Sequence, residues 1–169
     1  MNLFQLYELP VSFSTDKTKV KQQYFLLSRK YHPDFFGDAT AAEQAAVLEQ
    51  SSLVNKAYKT FNNQDETIKY VLQLKGLLEE EEKYALPNDF LMEMMELNEE
   101  LMDAKMEEDE ISLTKVKQTI HHFQLSIYEP VKEIIESNLE DDIPQERLLQ
   151  VKEYYFKKKY LTRILDGIK

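Results

Sequence analysis

The sequence predicts an all-α fold: a helical hairpin with short flanking helices, followed by a three-helix bundle. Three observations carry this expectation. Apolar residues recur at three- and four-residue steps along most of the chain, the period of one helix face. Glycine is scarce, at 3 of 169 residues against 10 tyrosines and 9 phenylalanines, whereas hairpin turns and phosphate-cradling loops lean on glycine. Prolines 10, 33, 87 and 144 stand at the edges of the periodic segments, where a residue without a backbone N–H costs a helix least.

Taken in order, residues 2–9 form a short apolar segment that stops at Pro10. From Asp16 to Tyr31, Val20, Tyr24, Leu27 and Tyr31 make one stripe of an amphipathic helix, with Ser14, Thr15 or Asp16 available as N-cap. Pro33 disfavours helical geometry at His32 and ends it. A loop through Gly37 and Asp38 leads to a long helix from about Ala41 to Phe61. Its predicted face is Ala45, Leu48, Ser52, Ala57 and Phe61, mostly small residues that permit close helix approach. Asn62, Asn63 and Gln64 break it, and a shorter helix follows from Asp65 to about Leu78, carrying Ile68, Val71, Leu72 and Leu74. The Glu79–Glu82 run and Pro87 mark a boundary. Beyond it the pattern predicts helices at about 88–108, 112–139 and 145–167, with Asn88 and Ser112 as caps for two of them. Pro130 falls inside the middle one, so a kink or break is expected there. The chain thus divides into residues 1–78, an acidic linker 79–87, and 88–169.

Composition excludes several classes. Hydrophobic residues are 43% and charged residues 31%, the balance of a globular chain. No apolar run approaches the roughly 18 residues of a membrane span. The start MNLFQLYELP has neither an export signal nor a transit-peptide composition. With no cysteine, disulfides, thiol catalysis and cysteine-held metal centres are out of reach, and a reducing cytoplasm is the expected address. The net charge of −10 is uneven. Residues 79–110 hold 14 acids and 2 lysines, a balance of −12; residues 147–169 hold seven bases and two acids, a balance of +5. Residues 16–31 set Lys17, Lys19, Lys21, Arg29 and Lys30 against Asp16, a balance of +4. Two basic patches around an acidic segment suggest protein partners with complementary faces rather than nucleic acid or membrane. As neighbours in a bundle, the acidic and basic helices would match much of that charge internally.

The informative motif is His32-Pro33-Asp34, between a basic amphipathic helix and a longer one. Pro33 stiffens the turn and presents the side chains on either side in one pose. Asp34 is suited to accept a bidentate hydrogen bond from a partner's arginine, or to cap a turn locally. The bases of the preceding helix suit an acidic surface. A plain helix stop is the alternative, although such a stop has no need of histidine. A catalytic reading of His32 with Asp34 lacks a nucleophile or metal in a closed pocket. His121 and His122 point about 100° apart on a helix and make poor joint ligands. No metal site and no cofactor are therefore assigned.

In residues 88–107, NDFLMEMMELNEELMDAKME, Phe90, Met94, Leu97, Leu101 and Ala104 form a core stripe. Leu91, Met95, Met102 and Met106, with Met92 at the edge, form a second, flanked by Glu96, Glu99 and Asp103. A helix touching two neighbours has such a wide apolar arc; so does an adaptable methionine-rich docking face.

The short first helix, basic second helix, HPD loop, small-residue third helix and Tyr70 in the fourth together resemble a J domain. End to end, the chain resembles the HscB family, the J-type co-chaperones of iron–sulfur cluster biogenesis. The resemblance rests on the HPD-x-F pattern ending at Phe36, the segment Glu43–Tyr58, and FLMEMMELNEEL, close to the family's FLME-x-x-EL-x-EEL. It implies a co-chaperone, not an enzyme, that needs no cofactor of its own. His32, Pro33 and Asp34, aided by Lys21, Arg29 and Lys30, would engage an ATP-dependent chaperone of DnaK/HscA type and promote its ATP hydrolysis. Leu91, Met92, Met95, Glu96, Glu99 and Asp103, joined by Tyr154, would bind an IscU-type iron–sulfur scaffold protein. Phe25 and Leu26 depart from many J domains, which carry bases there. Two other readings stand beside this one: a J protein for a different client, and a helical adaptor with no chaperone partner. The HPD loop opposes the second, and FLMEMMELNEEL the first.

Overall fold

The structure is a computed structural model and describes residues 1–137 and 143–168. Among these residues it contains helices and turns but no β-strand. In chain order the elements are α1 (Leu3–Leu6), α2 (Lys17–Lys30), a 3-10 turn (Pro33–Phe36), α3 (Ala41–Phe61), α4 (Gln64–Leu74), α5 (Asn88–Met106) and α6 (Glu110–Tyr128). A second 3-10 turn (Glu129–Val131), α7 (Lys132–Glu136) and α8 (Gln145–Asp166) complete it. The chain divides into two units: Met1–Lys75 with Ile134–Ile143, and Gly76–Glu133 with Pro144–Lys169.

The first unit is built on aromatic packing. Phe4, Tyr7, Phe13 and Phe61 are fully buried, and the Phe61 ring lies 4.9 Å from Phe4 and 5.3 Å from Tyr7. The Tyr7 hydroxyl donates to the Val54 carbonyl at 2.7 Å. Burial, with Tyr24 and Tyr58 nearby, pushes that phenol well above its ordinary range. Tyr70 accepts from the Leu3 N–H at 2.8 Å, tying α4 to the chain start. Stacking of Tyr24 on Tyr58 at 4.0 Å joins α2 to α3. Ile134 and Ile135 are buried, and Ser14 Oγ donates to the Ile135 carbonyl at 2.8 Å.

Three expectations are corrected here. The buried face of α3 is Val54, Ala57 and Phe61, extended toward its N-terminus by half-buried Val47, Gln50 and Ser51, whereas Ala45, Leu48 and Ser52 are exposed. Ala57 and Phe61 were rightly placed on the buried face, but the step of five from Ser52 to Ala57 breaks the helical period, so the first half of the predicted stripe falls on the exposed side. Helix α4 ends at Leu74 rather than near Leu78, since Gly76 takes φ +71 just past the Lys75 C-cap, a left-handed stop favoured by glycine. The helix breaker Asn63 is also a helix starter: its side chain accepts from the Glu66 N–H and caps α4. Asp16 is the cap of α2, accepting from the Thr18 and Lys19 N–H groups.

In the second unit α5, α6 and α8 share a core of Phe90, Met94, Leu97, Leu101, Val116, Ile120, Leu161 and Ile164. The cap of α6 is Asp109, not Ser112. Its carboxylate accepts from the Ile111 and Ser112 N–H groups and from Ser112 Oγ at 2.7 Å, bonds that hold it below the usual carboxylate range. Asn88 is the first residue of α5, behind Pro87 and without a side-chain cap. Pro130 interrupts the middle helix, as expected, through the 3-10 turn; residues 138 and 139 of the predicted span lie outside the described residues. The segment before α5 packs along α8: Lys152 pairs with Glu82 at 2.7 Å, and Tyr84 stacks on Phe156 at 4.6 Å. The expected charge matching between α5 and α8 takes the form of proximity rather than close pairing: no carboxylate of α5 makes an ion pair among the described residues, while Asp89 and Glu93 line one cleft with Lys157 of α8. The apolar stripe of α5 faces the other helices, so its acids face out.

Candidate functional site

Two surfaces carry the candidate residues, one in each unit. In the first, α2 ends at Lys30 and His32 caps the 3-10 turn, its Nδ1 accepting from the Asp34 N–H at 3.2 Å. Pro33 occupies the first position of that turn, where its fixed φ suits the geometry. The His32 bond organises the start of the turn, and Gln44 of α3 ties down its end by donating to the Phe36 and Gly37 carbonyls, which leaves the outer faces of His32 and Asp34 free, at 52% and 88% exposed. Arg29, His32 and Asp34 line one open hollow together with Phe25, Leu26, Ser28 and Phe35. Lys21 lies two turns back on α2. Lys30 sits over the Tyr31 ring at 5.2 Å and lines a different hollow.

Lys17, by contrast, is drawn into the fold. Its ammonium donates to the Phe61 carbonyl and to Thr15, and burial pushes its pKa down. Lys17 is still an exposed residue, as the sequence suggested; what the sequence could not show is its tie to the end of α3, a tertiary fact. Phe35 was also missed. The HPD-x-F spacing draws attention to Phe36, which is half-buried, while Phe35 is exposed with its ring edge on His32 at 5.9 Å.

The second surface is the outward face of α5. Phe90, Met94, Leu97, Leu101 and Ala104 are buried, as their spacing predicted. Met92, Met95, Met102 and Met106 are 62–81% exposed, Leu91 is half-buried, and Glu96, Glu99 and Asp103 are exposed around them. The two readings left open for this stripe are thereby separated: it is not core of the second unit. Tyr154 stands apart. It is buried, with its ring 5.7 Å from Tyr128, in a cleft it shares with Phe90, His122, Phe123 and Pro130. Among the described residues no group of three or more His, Asp or Glu is placed to hold a metal ion, and no helix is long and apolar enough to cross a membrane.

A helical hairpin with an exposed His–Pro–Asp turn at its tip, carried with a separate helical unit, defines the class of J-type co-chaperones. Comparison with known proteins makes this specific. A family model described as the HSCB C-terminal oligomerisation domain matches residues 86–169. The crystal structure of the human co-chaperone protein HscB is similar over 99% of this chain and 80% of that one, with 30% identity and a TM-score of 0.79. The chain belongs to the HscB family of co-chaperones. A co-chaperone protein HscB homolog of Vibrio cholerae is 35% identical over 102 residues, which is 60% of this chain and 60% of the relative; the match thus spans less than two thirds of that protein's length. The structure of the chaperone HscB from Vibrio cholerae shares the fold, with a TM-score of 0.75 over 99% of this chain and 95% of that one at 24% identity.

Proposed function

We propose that this protein works in iron–sulfur cluster assembly, holding an IscU-type scaffold on its C-terminal unit while presenting it to an ATP-bound chaperone of DnaK/HscA type. The observation that carries the reading is the His32–Pro33–Asp34 turn: its functional side chains are exposed and face away from the bonds that hold the turn, a local one from the Asp34 N–H to His32 and those from Gln44 of α3. Asp34 offers a carboxylate for an arginine of the chaperone, and Lys21, Arg29 and Lys30 steer the approach. On α5, Leu91, Met92 and Met95 supply deformable apolar contact and Glu96, Glu99 and Asp103 a charged rim. The proposed scaffold surface omits Tyr154 because that side chain is buried. Residues 1–78 act as the chaperone end and 88–169 as the client end. Carrying both partners raises the effective concentration of scaffold at the chaperone. The protein has no reaction of its own in this scheme, needs no cofactor, and works in the cytoplasm.

A second reading, a J protein for another client, draws on the same methionines, whose flexible side chains accommodate more than one partner surface. Steady-state ATP turnover by the host's DnaK-type chaperones decides between them, measured with and without this protein and with and without the scaffold. The expected result is stimulation that requires both, and that His32→Gln abolishes without loss of scaffold binding. Stimulation indifferent to the scaffold assigns another client; full stimulation by His32→Gln removes the HPD reading.

A further inference from the structure

The surface beside the His–Pro–Asp turn is apolar where a purely steering surface would be charged. Phe25, Leu26 and Phe35 are 60%, 65% and 70% exposed and border the same hollow as His32 and Asp34. Scattered exposed apolar residues are ordinary, but three large ones gathered in one hollow beside a rigid turn mark a docking site. Along α2 the residues Lys21, Phe25 and Arg29 follow at steps of four, so one helix face alternates base, ring and base, and His32 follows just beyond the helix end. Neither Lys21 nor Arg29 makes an ion pair among the described residues. The patch therefore has an apolar centre rimmed by Arg29 on one side and the Asp34 carboxylate on the other, with Lys21 further back on α2. A partner complementary to it has an apolar strip with an acid opposite Arg29 and a base opposite Asp34.

We propose that Phe25, Leu26 and Phe35 form an apolar anchor for the ATP-bound DnaK-type chaperone, so that burial rather than ion pairing holds the complex once it has formed. This rests on the reading of His32-Pro33-Asp34 as the chaperone-binding turn. The division of labour is physical: rim charges such as Lys21 and Arg29 set the on-rate and its salt dependence, whereas desolvated apolar contact sets the off-rate. Two apolar side chains at positions 25 and 26 thus make the hairpin selective for a chaperone that offers an apolar strip, and poor for one that offers only carboxylates.

The test uses the full chain with the host's DnaK-type chaperone and ATP, reading the half-saturating concentration and the plateau of stimulated turnover. The double variant Phe25→Ser/Leu26→Ser is expected to raise half-saturation about tenfold with the plateau retained. Phe25→Leu/Leu26→Met keeps it within about threefold. Phe25→Lys/Leu26→Lys discriminates most sharply. Two added cations facing an acidic surface would tighten an ionic contact, whereas an apolar anchor is loosened by them. Both replaced side chains stand on exposed positions, and an unchanged melting temperature verifies the fold. Tighter binding by the lysine pair overturns the anchor. So does unchanged half-saturation in the serine pair, including the case where that pair instead lowers the sedimentation mass of the free chain, which assigns the patch to a second copy. His32→Gln in the same assay separates the two levels: full stimulation overturns the turn reading and the anchor with it, while its loss beside a normal serine pair overturns the anchor alone.

Discussion

His32 organises the start of the turn with a single nitrogen. Nδ1 accepts from the Asp34 N–H at 3.2 Å, and the ring as a whole remains half exposed. The Asp34 carboxylate is 3.6 Å from the same Nδ1 and 88% exposed, open to an incoming guanidinium. Side chains so exposed contribute little to the fold, and in the proposed reading they act on a partner. Glu82 is the opposite case. Its carboxylate takes a hydrogen bond from Lys152 at 2.7 Å with both side chains four-fifths or more covered, and that bond holds its pKa below the ordinary 4.5. A carboxyl whose folded pKa is depressed contributes stability above its unfolded pKa, and loses it as pH falls through the folded value. Glu82→Gln is therefore expected to lower stability by about 1 kcal/mol at neutral pH. The gap to the parent protein should close as pH drops below the ordinary 4.5. Urea unfolding at neutral and acid pH measures it; a gap that widens in acid contradicts the assignment.

Helix α5 separates its two tasks between neighbouring residues. Met94 is fully buried while Met95 is 63% exposed, one residue and about 100° away. Met94→Ala is expected to cost roughly 2–5 kcal/mol through the cavity it leaves. Met92→Ala with Met95→Ala should stay within about 0.5 kcal/mol of the parent per site while weakening scaffold binding about tenfold. Chemical denaturation and scaffold titration read the two effects separately, and unchanged scaffold affinity returns the methionines to ordinary surface. The inner stripe of this helix was legible because five large or small apolar residues repeat at steps of three and four. Exposure of the outer stripe was not legible, since it depends on where α6 and α8 lie. The face of α3 misled for a different reason: Ala45, Leu48 and Ser52 keep the period among themselves, but the step of five to Ala57 breaks it, and only Val54, Ala57 and Phe61 meet a core. At the start of α6 both Asp109 and Ser112 are good caps, and the carboxylate wins by accepting from two N–H groups and the serine hydroxyl together. The HPD turn was the most legible part of the candidate site, because proline fixes local geometry before any tertiary contact forms. The packing of Glu82 and Tyr84 on α8 left no periodic trace at all.

Over the whole molecule, chain order and structural units do not coincide. A sequence division at residues 78 and 88 follows the Glu79–Glu82 run and Pro87, yet Ile134–Ile143 belongs to the first unit although it lies between α6 and α8. Periodicity could not reveal this, since Ile134 and Ile135 continue an apolar pattern that reads equally well as the end of the middle helix. The break at Pro130, expected from its missing N–H, is what frees the chain to leave α6 and contribute elsewhere. The consequence is testable with Ile135, whose side chain is fully buried and whose carbonyl accepts from Ser14 Oγ at 2.8 Å. Ile135→Ala removes buried methyl groups from the first unit, and a loss of roughly 2–5 kcal/mol is expected there. Amide hydrogen exchange locates the damage: protection should fall across α3 and α4, while α5 and α8 keep theirs, because each unit has its own core and opens as its own cooperative element. Loss centred on α5 and α8 would instead place Ile135 in the second core. A fragment ending at Lys75 lacks Ile134 and Ile135 altogether, so the same reasoning makes it less stable than the unit within the full chain, and its melting temperature relative to that unit provides the independent check.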